Sequence, residues 1–172
     1  MADIDVTSDG ILRFRGREYR CALGRAGLVS EKREGDGGTP VGTYPLRRVL
    51  YRADRLPAPA TALALEAIRS EDGWCDAPAD PAYNRQVELP YPASAEALWR
   101  RDRLYDLVVV LGQNDSPPMP GLGSAIFLHL ARADWGPTEG CVAVTLETLL
   151  EILAEAGPET QLRVLGDEAQ AE

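Results

Sequence analysis

The sequence has a single histidine, His129, only 3 cysteines, and no excess of positive charge. Its 18 Lys+Arg against 27 Asp+Glu leave a formal net charge of −9, and like-charge repulsion removes nucleic acid from the expected partners. No window approaches the ~20 consecutive apolar residues of a membrane-spanning helix, so no membrane span is expected. The N-terminal segment lacks both the basic start and the apolar stretch of a secretory signal. Cys21, Cys75 and Cys141 are odd in number and without C-x-x-C spacing, which argues against structural zinc or a complete disulfide framework and leaves at least one thiol free. There is no internal repeat, and no Gly-x-Ser-x-Gly elbow that would make Ser124 a nucleophile; it reads as a turn residue.

What is present suits one core. A chain of 172 residues with 45% hydrophobic content fits a single domain, expected over residues 1–166, with a polar, acidic tail at 167–172 that frays. Apolar or alternating runs bounded by Gly and Pro predict strands at residues 11–14, 19–23, 44–51, 104–111, 126–130 and 162–165. Leucines at helical spacing predict a helix over 146–156, capped by Thr145 and ended by Gly157-Pro158. A second, shorter helix is expected over 95–101, with Ser94 as its cap and Leu98 and Trp99 turned inward. Of the 13 Pro and 16 Gly, 9 Pro and 6 Gly fall in residues 35–45, 57–59, 76–83 and 116–123, which read as loops. Strands outnumber helices across short turns, so the predicted class is mainly β with appended helices, a sandwich or barrel-like body.

The chemistry concentrates in residues 126–144, where His129 precedes Cys141 by twelve positions. If a thiol proton must pass to an imidazole, no other side chain can receive it. On a strand His129 shares a face with Phe127 while Ile126, Leu128 and Leu130 point the other way. A core histidine bonded to backbone fits the same pattern. Gly140 allows close backbone approach, and the N–H groups of Gly140 and Cys141 can face a developing oxyanion.

These residues resemble the L,D-transpeptidase (YkuD-like) family, whose pattern is a histidine, a spacer, then Ser/Thr-His-Gly-Cys and a hydrophobe; here it reads His129, spacer, Thr138-Glu139-Gly140-Cys141-Val142-Ala143. A second segment, Lys32 to Tyr44 with Gly35-Asp36 and Thr39-Pro40-Val41-Gly42, is similar to the family's Lys…Gly-Asp…Thr-Pro-x-Gly signature. A third, Gly73 to Asn84, resembles one branch of it. The resemblance implies a β-rich catalytic domain, Cys141 as nucleophile, His129 as general base, a thioester intermediate, and peptidoglycan stem peptides as partners. It implies no metal and no other cofactor. It also implies the periplasm or cell envelope, with the cytoplasm as the alternative in the absence of a leader.

Glu139 stands where the family has its second histidine, and Ala143 where it has Arg or Asn. Glu139 is expected to point away from the thiol or to pair with a cation such as Arg132, or else to be a solvated loop charge. The substrate carboxylate then needs another holder, with Arg132, Arg85 and Arg25 as the loop arginines to consider. Thr138, Tyr83, Asn84 and Trp135 are the remaining substrate-binding candidates, the aromatics equally reading as packing anchors. Cys21 and Cys75 read as structural, with a pairing between them in an oxidising compartment left open. Transpeptidation through the thioester is the expected reaction; hydrolysis at the same site, or a non-catalytic peptidoglycan-binding module, are the alternatives.

Overall fold

The computed structural model describes residues 3–167. Among these residues, fourteen strands and one helix follow in chain order: β1 Ile4–Thr7, β2 Ile11–Phe14, β3 Arg17–Arg20, β4 Leu28–Val29, β5 Thr39–Pro40, β6 Gly42–Tyr51, β7 Leu65–Ala67, β8 Asp72–Cys75, β9 Gln86–Glu88, β10 Ala95–Ala97, β11 Leu107–Leu111, β12 Phe127–Leu130, β13 Val142–Val144, α1 Leu146–Glu155 and β14 Gln161–Val164. The main sheet runs β13-β12-β11-β6-β14-β1-β2-β3, with β7 beside β6. It curls until Ala22, just past β3, exchanges hydrogen bonds of 2.8 and 3.0 Å with Ala143 on β13. That bridge joins the two ends of the sheet into a barrel-like body, mainly β as expected.

The expected helix at 146–156 is α1, with the Thr145 hydroxyl accepting from the Thr148 N–H at 3.1 Å. Its Leu149, Ile152 and Leu153 are buried against a core built from Ile4, Leu12, Val49, Leu128 and Leu162. Each such side chain contributes ~1.5–3 kcal/mol when fully removed from water. The helix expected at 95–101 is corrected: residues 95–97 form β10, which pairs with β8 in a three-stranded sheet β10-β8-β9. Sheet pairing outweighs the weak local helix preference of Ala-Glu-Ala. Leu98 does turn inward, but Trp99 lies at the surface under the Arg52 guanidinium, 3.5 Å from its ring centroid. The strand expected at 19–23 falls earlier, as β3.

The small sheet covers the outer face of β11 and β12 and encloses a second cluster of Leu50, Trp74, Leu98, Tyr105, Val108 and Phe127. β12 is therefore buried on both faces. The tail expected to fray at 167–172 lies outside the described residues except for Asp167, whose carboxylate accepts from the Ser8 hydroxyl at 2.7 Å. Cys21, Cys75 and Cys141 are all free thiols, so a Cys21–Cys75 pairing is not formed. Cys21 packs in the main core, whereas the Cys75 thiol donates to Asp80 at 3.6 Å on β8.

Candidate active site

Strand alternation decides which way His129 looks. Ile126, Leu128 and Leu130 enter the main core, while Phe127 joins the second cluster and His129 shares its face. β13 runs parallel to β12 with His129 opposite Ala143, which brings Cys141, one residue before β13, alongside Phe127. Cys141 and His129 thus line one cleft of ≈330 Å³, although they lie twelve positions apart in sequence.

Both groups are held by backbone. His129 Nδ1 lies 2.9 Å from the Leu130 carbonyl oxygen, an acceptor that fixes the hydrogen on Nδ1 and leaves the lone pair on Nε2. Burial pushes its pKa down to about 4, helped by the charges of Arg100 and Arg132, so the ring is neutral at neutral pH. The Cys141 thiol donates to the Ala125 carbonyl at 3.1 Å and accepts from the Phe127 N–H at 3.3 Å. Burial pushes this thiol up to about 12, against the opposing pull of the Phe127 N–H and of Lys32. The resting pair is neutral thiol and neutral imidazole, with no hydrogen bond between them.

The cysteine loop is braced from three sides. Thr138 Oγ1 donates to the Cys141 carbonyl at 2.7 Å and accepts from the Gly140 N–H at 3.0 Å. The Gly140 N–H is therefore engaged at rest rather than open to an oxyanion. Gly140 has φ +140°, and an added Cβ would lie 2.8 Å from the Gly38 carbonyl oxygen and 3.2 Å from Lys32 Nζ. Lys32, the only lysine of the sequence, donates to Gly38 at 2.8 Å and to Asp36 at 2.5 Å. Thr39 accepts from the Gly24 N–H at 2.8 Å, and Tyr44 donates to the Val41 carbonyl at 2.9 Å. The Lys32–Tyr44 signature thus forms the wall against which the cysteine loop packs.

The other candidates divide between cleft and support. Thr138, Glu139 and Arg132 line the cleft. Glu139 pairs with Arg25 at 3.1 Å, not with Arg132, and points to solvent. Arg132 has no side-chain partner among the described residues. Tyr83, Asn84 and Trp135 do not line the cleft. Trp135 lies beneath the Arg20 guanidinium, 4.5 Å from its ring centroid. Tyr83 donates to Glu34 at 2.6 Å and accepts from the Gly123 N–H at 3.0 Å. Asn84, at φ +58°, accepts from Trp74 Nε1 at 2.9 Å and the Ala125 N–H at 3.0 Å, and donates to the carbonyls of Gln113 and Asn114 at 3.0 and 2.7 Å. It fixes the residue whose carbonyl holds the thiol hydrogen. Arg85 lies on another groove.

Sequence reasoning missed Tyr105 and Glu96. The Tyr105 ring stands edge-on to His129 with centroids 5.2 Å apart, and its hydroxyl donates to Glu96 Oε1. Burial pushes Tyr105 well up and raises Glu96 above the usual carboxylate range. Neither belongs to a motif, and Glu96 falls in the segment misread as helix. Glu34, Asp76, Glu96 and Glu139 face the cleft against Lys32, Arg100 and Arg132. Among the described residues no group of three His, Cys, Asp or Glu side chains is arranged to hold a metal ion.

The family model described as the L,D-transpeptidase catalytic domain (YkuD) matches residues 4–164. No curated protein matches the chain in sequence. Among solved structures, the chain is similar to L,D-transpeptidase 1 of Mycobacterium tuberculosis at 11% identity and TM-score 0.43, covering 96% of this chain and 62% of that one. It is similar to Bd1075 of Bdellovibrio bacteriovorus at 15% identity and TM-score 0.48, covering 95% and 47%. An L,D-transpeptidase from Mycobacterium smegmatis aligns at 10% identity and TM-score 0.45, covering 96% and 58%. The chain spans about half to three fifths of the length of these proteins.

Proposed function

This chain belongs to the L,D-transpeptidase catalytic-domain family, and on that premise we propose that it cross-links peptidoglycan stem peptides in the cell envelope through a Cys141 thioester. The observation that carries this reading is the shared cleft of a sole histidine, its Nδ1 committed to backbone, and a buried thiol. With no thiolate at rest, attack and proton transfer are coupled: Nε2 of His129 takes the thiol proton as Sγ adds to the stem-peptide carbonyl. His129 then gives that proton to the leaving amine as the carbon–nitrogen bond breaks, leaving the thioester. The acceptor amine adds to the thioester, passes a proton to His129, and expels Sγ, which recovers it. The Phe127 N–H stabilises charge on sulfur throughout. The Cys141 N–H stabilises the oxyanion, joined by the Gly140 N–H once it exchanges Thr138 Oγ1 for that oxygen; one such donor is worth ~10²–10³ in rate.

The donor carbonyl belongs to diaminopimelate or to the alanine–diaminopimelate junction. A hydrolytic reading, with water resolving the thioester, is favoured by one feature, the small Ala143 in the cleft lining where the family carries Arg or Asn. Incubation with purified muropeptides and mass analysis decides between them. Cross-linked dimers, lost in Cys141→Ala and in His129→Ala, are expected. Shortened monomers alone would replace transpeptidation by hydrolysis, and unchanged substrate would remove both.

A further inference from the structure

A second groove, of ≈410 Å³, opens on the other side of residues 126–127, walled by Arg47, Arg48 and Arg85 against a single carboxylate, Asp115. Arg47 is forked onto Asp115 at 2.9 and 3.0 Å and is neutralised there. Arg48 is bonded to the neutral Gln86 amide at 2.5 Å, lies 5.6 Å from the Trp74 ring centroid, and reaches Glu66 only at 3.9 Å. Arg85 is exposed and has no side-chain partner among the described residues. The groove therefore carries net positive charge on a chain whose formal charge is −9.

The groove also adjoins the thiol. Ile126 lines both groove and cleft, and Phe127, whose N–H reaches Cys141 Sγ at 3.3 Å, lines the groove. The cleft itself presents four carboxylates against three cations, a poor landing for an anionic peptide. A guanidinium fork binds carboxylate in two parallel hydrogen bonds, and Arg85 has its fork unused.

We infer that the Arg48–Arg85 side of this groove is the subsite for the free carboxylates of the donor stem peptide, seated while its reacting carbonyl lies over Cys141. The inference rests on the transpeptidase reading for the identity of the peptide, and on the groove alone for its charge.

The test compares Arg85→Glu with the unaltered protein on tetrapeptide muropeptides with free carboxylates and on the same muropeptides with those carboxylates amidated. Thermal melting checks that Arg85→Glu folds. The expected result is a KM raised about tenfold for the free-carboxylate donor with kcat kept, and little change for the amidated one, as for loss of one charge-assisted contact of about 1.4 kcal/mol. Equal KM changes for both donors overturn the inference. Titration calorimetry on Cys141→Ala reads the same contrast without turnover. If the protein lacks transpeptidase activity, weaker binding of the free-carboxylate peptide to Cys141→Ala/Arg85→Glu keeps the subsite, and identical binding removes it.

Discussion

At the scale of single residues, burial governs the reactive groups more than charge does. His129 has its pKa pushed down to about 4 by desolvation, from an ordinary value near 6.5. A depressed folded value makes its contribution to stability present above pH 6.5 and lost as pH falls through 4, amounting to about 3 kcal/mol by pH 4. Urea unfolding at pH 7 and pH 4 is expected to give that extra loss in the unaltered protein but not in His129→Gln. Asn84 acts through structure. Its four hydrogen bonds, three of them buried, tie Trp74, Ala125, Gln113 and Asn114 together, and each buried group left unpaired costs ~1–3 kcal/mol. Asn84→Ala is expected to lose roughly 3 kcal/mol or more in urea unfolding, and to lose turnover as Ala125 shifts.

At the scale of elements, legibility followed how local each signal was. The leucine stripe and cap of α1 are complete within one stretch of chain, and both were readable. Thr145→Ala is expected to cost ~1 kcal/mol in thermal unfolding, the usual worth of a capping hydroxyl. β11 was readable too, because its apolar run is unbroken. β10 was not, since three residues of Ala-Glu-Ala become a strand only through pairing with β8. The same holds for the site. Cys141, His129 and Gly140 could be picked out because they lie in one segment with a recognisable spacing. Tyr105 and Glu96 reach the cleft from separate elements, and Asn84, read from sequence as a substrate contact, bonds the Ala125 N–H and does not line the cleft. The partner of Glu139 was likewise invisible, because Arg25 is 114 residues away in sequence.

At the scale of the molecule, the proposed catalytic pair, His129 and Cys141, sits close to where the sheet closes. Ala143 is opposite His129 on β12 and bonded to Ala22 beyond β3, so one buried residue serves both the seam and the cleft. Restoring the family's arginine there would force a long charged side chain into an occupied seam. Ala143→Arg is expected to lose about 1–3 kcal/mol in denaturant unfolding and to fall in turnover. The latch that holds the Cys141 hydrogen on the Ala125 carbonyl has a consequence for survival in air. A sulfur that is buried and protonated offers oxidants almost no thiolate, and thiolate is the form that peroxide converts to sulfenic acid. Hydrogen peroxide at neutral pH is therefore expected to consume the resting Cys141 more slowly than a free cysteine, read as loss of turnover over time. On the envelope function proposed above, Cys141 would stay in reserve until a peptide arrives to claim it.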